Sequence, residues 1–208
     1  KSQGFYALCS VELGVLLGAK LLYIIINVKR IFTSHAPFLS ILKSGFVLYG
    51  GILGAVLAVF LFSFFTKKSF YPTLSLISLV APLIQFFGRI GCFCAGCCYG
   101  IPYNGYFSVL IAGEYRYPTQ IASAIFNLFL FFTLLILFKK NKQKYLIPVY
   151  LFVYGIGRFV IEQFRGDTIR GFLGPLSISS WISIFCIFIG MIILIKIRKI
   201  IQTSNISP

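Results

Sequence analysis

Charge is what this sequence has least of: only 11% of its 208 residues are charged, and four acidic residues stand against 19 lysines and arginines. With 59% hydrophobic and 18% aromatic content, that scarcity excludes the balance of a soluble globular protein. No repeat of 20 to 50 residues is present, which excludes solenoids and propellers, and there is no low-complexity tract. The opening KSQGFYALCSVELG lacks a basic start, apolar core and small-residue cleavage site, so it does not read as a signal peptide. Nor does it begin with methionine, and the expectation is that further residues precede it. The lone histidine, His35, falls in the mildly apolar connector HAPFLSILKS and reads as interfacial rather than catalytic.

Long apolar runs are what the sequence has in abundance. A bilayer core requires about 20 apolar residues per helical span, and six windows meet or approach this: 7–28, 45–65, 71–99, 119–138, 146–164 and 178–197. They are too continuously apolar for barrel strands, whose character alternates, and a backbone in lipid must satisfy its own polar groups. The expected fold is therefore all-α: a polytopic integral membrane protein of six transmembrane helices, with residues 1–208 as a single transmembrane domain. The net charge of +15 does not point to nucleic acid, because the basic residues fall mostly in short connectors rather than on one face. Taken alternately, one side holds Lys1, Lys67, Lys68, Lys139, Lys140, Lys142, Lys144, Lys196, Arg198 and Lys199. The other holds Lys29, Arg30, Lys43, Arg116, Arg165 and Arg170. The excess makes the first side cytoplasmic, with both ends of this chain inside.

Ionisable residues within spans are costly, so each is a functional candidate. They are Glu12 and Lys20 in the first span, Arg89 in the third, and Arg158 with Glu162 in the fifth. With spans three and five running outward, Arg89 and Arg158 reach the outer half of the membrane, and the inward-running second span puts Tyr49, Gly50 and Gly51 there too. One reading makes Arg158 and Glu162 an i, i+4 ion pair and lets Arg89 cap carbonyls. The other notes that two buried guanidinium groups outnumber their one carboxylate and ask for an anion. Arginine binds phosphate in a bidentate fork, and the phosphates at an outer leaflet belong to phospholipids. The glycines of YGGILG and GRIG allow either small-xxx-small helix packing or backbone access for a ligand.

Four of the six cysteines crowd into GRIGCFCAGCCYG. Structural zinc sites usually use two separated pairs, and on one continuous helix only Cys94 with Cys97 or Cys98 shares a face. A disulfide between helical neighbours fits badly with the bond's geometry. Cysteine packs well as a small hydrophobe, so the cluster reads as packing and no metal is assigned.

In order and spacing, SGFVLYGGILG, FGRIGCFCAGCCYG, YPTQ, GRFVIEQFRGD and LSISSWIS resemble the prolipoprotein diacylglyceryl transferase family, over nearly the whole chain from Glu12 onward. GVLLGAKLLYII resembles its GARLYY-type segment, with Lys20 replacing arginine. The resemblance implies seven transmembrane helices, one more than this chain holds. It also implies an enzyme of the bacterial cell membrane, without cofactor or metal, whose partners are phosphatidylglycerol and prolipoproteins carrying a lipobox cysteine. The diacylglyceryl group would pass to the cysteine thiol, releasing glycerol phosphate. On the same basis Arg89, Arg158 and Tyr49 are the catalytic candidates, with Tyr49 where many members have histidine. Glu162 and Arg165 match an ExxR element holding Arg158; Tyr117, Pro118, Thr119 and Gln120 match the family's HPSQ stretch.

The family pattern after the arginine is GNFINGELWG. Arg89, Gly91, Phe93, Gly96 and Gly100 keep it, whereas Cys92, Ala95 and Cys97 replace two asparagines and a glutamate. The substrate-binding set implied is Gly50, Gly51, Cys92, Gly96, Gly100, Tyr117, Gln120, Glu162 and Arg165. Alternatives are a related transferase with a different acceptor, a non-catalytic protein that binds or transports anionic phospholipid, and a thiol redox protein built on the cysteines.

Overall fold

A computed structural model describes residues 2–28, 48–67, 70–111, 113–166 and 171–204. The connector containing His35, the charges Lys29, Arg30, Lys43, Lys68 and Arg170, and the side chain of Tyr49 lie outside the described residues. Six α-helices are described: α1 (Ser2–Ile26), α2 (Leu48–Thr66), α3 (Phe70–Cys94), α4 (Thr119–Lys139), α5 (Leu146–Gln163) and α6 (Ile178–Ser204). Five are long and apolar enough to cross a membrane, and α2 carries the shorter apolar run Leu53–Thr66. At about 1.5 Å per residue, the 19 residues of α2 still approach the thickness of the hydrocarbon core. The all-α architecture expected from the apolar windows is what the chain adopts.

One boundary differs. The third window was expected to run to residue 99, but α3 ends at Cys94. The chain turns at Gly96, whose φ of +63° places it in the left-handed region that ends many helices. Hydropathy does not see this stop, because the residues beyond it are as apolar as those before.

The structure falls into two compact units, Lys1–Leu74 and Ser75–Pro208, the division falling within α3. In the first, α1 and α2 meet backbone to backbone. A methyl added at Gly14 would lie 2.5 Å from the Gly54 carbonyl oxygen and 2.6 Å from Ala58 Cβ, and one added at Gly18 would collide with the Gly50 carbonyl. Gly14 with Gly18, and Gly50 with Gly54, are each a small-xxx-small pair, and they face each other antiparallel. In lipid no hydrophobic force draws helices together, so this close approach and its dispersion contacts hold the hairpin. Phe5, Leu13, Leu17, Leu21, Leu53, Leu57 and Phe64 are exposed around it, as lipid-facing residues would be.

In the second unit a core of Leu79, Leu130, Leu134 and Leu146 joins α3, α4 and α5. Gly155 and Gly190 bring α5 against α6: a Cβ on Gly155 would sit 2.8 Å from the Ser183 oxygen, and one on Gly190 2.7 Å from the Phe152 nitrogen. Much of what this unit buries is polar, including Thr119, Gln120, Ser123, Asn127, Glu162, Ser177, Ser180 and Ser183. The exposed residues include Phe129, Phe132, Phe185 and Phe188.

Two short hairpins sit in the connectors. β1 (Val109–Ile111) pairs with β2 (Glu114–Arg116), and β3 (Phe172–Leu173) with β4 (Leu176–Ser177), both antiparallel. Strands of two and three residues are too short to show a period in sequence, so these pairings were not foreseen.

Candidate functional site

Arg158 and Arg89 occupy equivalent stations, each five residues before the last residue of its helix, Gln163 in α5 and Cys94 in α3. Their surroundings differ. Arg158 donates from Nε to Ser179 Oγ at 3.0 Å and from Nη2 to Glu162 Oε2 at 2.7 Å. Arg165 reaches the same carboxylate oxygen at 3.6 Å, and Ser177 Oγ donates to Glu162 Oε1 at 3.0 Å. Ser177 is itself placed at the start of α6, where its hydroxyl accepts the Ser180 amide at 3.2 Å. Glu162 is thus a buried anion gripped by two cations and a hydroxyl, with Arg158 as the arm that reaches out of the cluster.

The i, i+4 ion pair weighed from the sequence is real. It accounts for Arg158 only, because among the described residues no carboxylate pairs with Arg89. Arg89 and Arg158 line one small, partly open cleft together with Ser123, Phe126, Asn127, Tyr154 and Ile161. Arg158 and Arg165 share one buried carboxylate, and Arg89 lines the cleft with no ion pair among the described residues. Asn127 donates to the Ser123 carbonyl at 2.8 Å, while its own Oδ1 is buried without a hydrogen-bond partner among the described residues. Below the cleft, Gln85 Nε2 donates to the Tyr150 hydroxyl at 3.0 Å, and Tyr150 stacks on Tyr154 with ring centroids 5.4 Å apart. The cleft is thus lined by two arginines, two polar side chains and aromatic rings, and its charge is suited to an anionic group.

The residues after α3 build a frame. Gly100 donates its amide to the Tyr117 carbonyl at 3.0 Å and Ile101 to the Phe164 carbonyl at 2.9 Å, so the segment runs between the start of α4 and the end of α5. A side chain at Gly100 would strike the Tyr117 carbonyl, which is why only glycine fits. Tyr117 packs on Phe164 with centroids 5.4 Å apart. Thr119 Oγ1 donates to the Cys98 carbonyl at 2.8 Å and the buried Gln120 Nε2 to the Cys97 carbonyl at 2.7 Å. The YPTQ stretch thereby fastens the cysteine turn to α4. Gly96 sits in that turn, while Gly50 and Gly51 belong to the α1–α2 hairpin, where a Cβ on Gly51 would meet Val15 Cγ1 at a tight 3.3 Å.

The cysteines are not arranged as a continuous helix would arrange them. Cys94 was expected to share a face with Cys97 or Cys98; instead the left-handed turn folds the chain back, and the Cys97 amide reaches the Cys92 carbonyl at 3.1 Å. Cys92, Cys97 and Cys98 then bring their sulfurs within 4.8 Å of one another, leaving Cys94 outside the group. Loss of solvation, with the Cys98 and Cys92 sulfurs beside it, pushes the Cys97 thiol up to about 11. That is the reverse of the lowered pKa a redox nucleophile needs.

Sequence reasoning missed Ser123, Asn127, Tyr154, Ser177 and Ser179. One signal was available: Gln120, Ser123 and Asn127 recur at helical spacing through an otherwise apolar span, marking one polar face of α4.

Comparison with known proteins agrees with the motifs. A family model described as prolipoprotein diacylglyceryl transferase matches residues 4–196. A phosphatidylglycerol–prolipoprotein diacylglyceryl transferase of Clostridium tetani is 41% identical, the match covering 87% of this chain and 75% of that protein. Phosphatidylglycerol–prolipoprotein diacylglyceryl transferase 2 of Clostridium perfringens is also 41% identical, over 89% of this chain and 75% of its own length. The Campylobacter hominis protein of the same name is 32% identical, over 94% and 75%.

Proposed function

The chain belongs to the prolipoprotein diacylglyceryl transferase family, and on that footing we propose that it moves the diacylglyceryl group of phosphatidylglycerol onto the thiol of a prolipoprotein cysteine. It is a multi-pass membrane transferase. The observation that carries the site assignment is the cleft lined by both Arg89 and Arg158, with more guanidinium than carboxylate around it.

The acceptor sulfur attacks the glyceryl carbon that carries the phosphate. A carbon–sulfur bond forms, the carbon–oxygen bond to phosphate breaks, and the thiol proton leaves with glycerol phosphate. Negative charge concentrates on the departing phosphate oxygen, and preorganised cations in a poorly hydrated cleft stabilise that change more than they stabilise the bound diester. Arg158, held by Ser179 and Glu162, is preorganised in this sense. Arg89, in no ion pair among the described residues, is the partner whose charge the phosphate takes up.

Glu162 and Arg165 act by positioning Arg158. Gly96, Gly100, Tyr117 and Gln120 shape the wall beside the headgroup, with Cys92 where the family has asparagine. Gly50 and Gly51, which pack the second helix on the first, belong to the substrate-binding set, and Tyr49 orients the lipid or relays the proton; a phenol with pKa near 10 is too weak a base to act alone. The basic connectors support a cytoplasmic C-terminus and a site toward the outer leaflet of the bacterial cell membrane.

The test is an assay with phosphatidylglycerol vesicles and a lipobox peptide, reading both the thioether product and released glycerol phosphate. Both are expected from the wild type and neither from Arg89→Ala or Arg158→Ala. Product formation unchanged in either variant overturns the assignment. Phosphatidylglycerol binding without either product would reassign the chain as a lipid-binding protein.

A further inference from the structure

The proposed transfer makes no use of the thiols of Cys97 and Cys98, yet the fold converges them on Cys92. Four observations bear on this. The three sulfurs lie within 4.8 Å of one another. The turn that gathers them is unusual: Gly96 has φ +63°, and Cys98, an ordinary L-residue, is also left-handed at +58°. Such a conformation in a residue other than glycine, asparagine or aspartate costs energy and persists only where its surroundings fix it. Those surroundings are present, because buried Thr119 and Gln120 hold the Cys98 and Cys97 carbonyls. The adjacent Cys94 is left outside on an exposed position, so the gathering is selective rather than a by-product of composition.

We propose that Cys92, Cys97 and Cys98 form a three-thiolate site for a soft d10 metal cation of the zinc type, with the fourth coordination position open. Zinc–sulfur bonds of about 2.3 Å in a tetrahedral array put sulfurs roughly 3.8 Å apart, so small rotamer adjustments of the present cluster suffice. No carboxylate or histidine adjoins the sulfurs among the described residues, and an all-sulfur set selects soft ions over magnesium or calcium. Cys97 is exposed while Cys92 and Cys98 are half-buried, which gives the ion an entry side. Binding a divalent cation releases three thiol protons and leaves one net negative charge. Arg89, three residues before Cys92 on α3, is the nearest cation in sequence to balance it. The hydrogen bonds from Thr119 and Gln120 orient the ligand-bearing backbone from outside, as supporting shells of metal sites do.

The test uses the full chain, purified in detergent under a non-thiol reductant and titrated with cadmium as the spectroscopic stand-in for zinc. The ultraviolet thiolate-to-cadmium charge-transfer absorption is expected to saturate at one ion per chain. Cys92→Ser, Cys97→Ser and Cys98→Ser should each weaken binding at least tenfold, and Cys94→Ser should leave it unchanged. Because a serine variant could fail to fold, alkylation of the wild type followed by peptide mass analysis provides a second reading. Cadmium should protect Cys92, Cys97 and Cys98 and leave Cys94 reactive. The absence of a saturable band, protection that includes Cys94 equally, or a disulfide among the three in the reduced preparation overturns the proposal.

Discussion

Where α1 meets α2, glycine backbones touch; where α5 meets α6, a buried carboxylate is held by two arginines and a serine. Both contacts solve the same problem. Lipid tails are as apolar as leucine, so helices in a membrane must gain by packing density or by polar satisfaction. The first solution gives adhesion that is indifferent to chemistry. The second costs desolvation but fixes an arginine in one orientation, which is what the proposed transfer asks of it.

The sharpest way to break this comparison is within the polar unit itself. Arg158→Ala should reduce transfer at least about 100-fold, the size of losing a preorganised oxyanion donor. It should also lower stability by about 3–5 kcal/mol, because Glu162 stays buried with a weaker partner. Arg89→Ala should cost as much in rate yet leave thermal unfolding in detergent nearly where it was, since Arg89 belongs to no ion pair among the described residues. Equal loss of stability in both would mean that Arg89 is structural.

The glycine hairpin should show the converse pattern. Gly18→Leu has no room against the Gly50 carbonyl and should destabilise by at least about 1–3 kcal/mol, read as thermal unfolding. Gly51→Ala, whose nearest neighbour would be Val15 Cγ1 at 3.3 Å, should move it far less. Similar shifts in the two would show that the helices are not locked at Gly18. The smallest effect expected is from Gln120→Ala, which removes one hydrogen bond to the Cys97 carbonyl and should cost about 1 kcal/mol. Its use is to separate frame from chemistry: cadmium affinity should fall with it, while Ser10→Ala, outside both sites, should change neither.

Much of this was legible without a structure because membranes impose crude rules. The number of helices follows from apolar length, and the arginines stand out because charge is rare in such spans. The small-xxx-small pattern in GVLLG and GGILG likewise announces close packing. The end of α3 was not legible, because apolar residues continue past Cys94 and only the backbone reversal at Gly96 stops the helix. For the same reason the cysteines were misread: their directions were worked out on a helix that is no longer there. Ser177 and Ser179 were hidden differently, since serines beside a span have many local partners and nothing in their spacing singles out Glu162 and Arg158.

By itself, then, the sequence determined the helices, their apolar exteriors and which few charges must find partners, because burial in lipid penalises every exception one residue at a time. Which charge is satisfied and which is left over was decided by tertiary structure. Arg158 is locked by Glu162 and Ser179, Arg89 is open to the cleft, and three sulfurs converge while a fourth turns away. The contact of Arg158 with Ser179, the cleft beside Arg89 and the hydrogen bonds from Thr119 and Gln120 that pin the cysteine turn all join residues far apart in the chain, and no local preference encodes them.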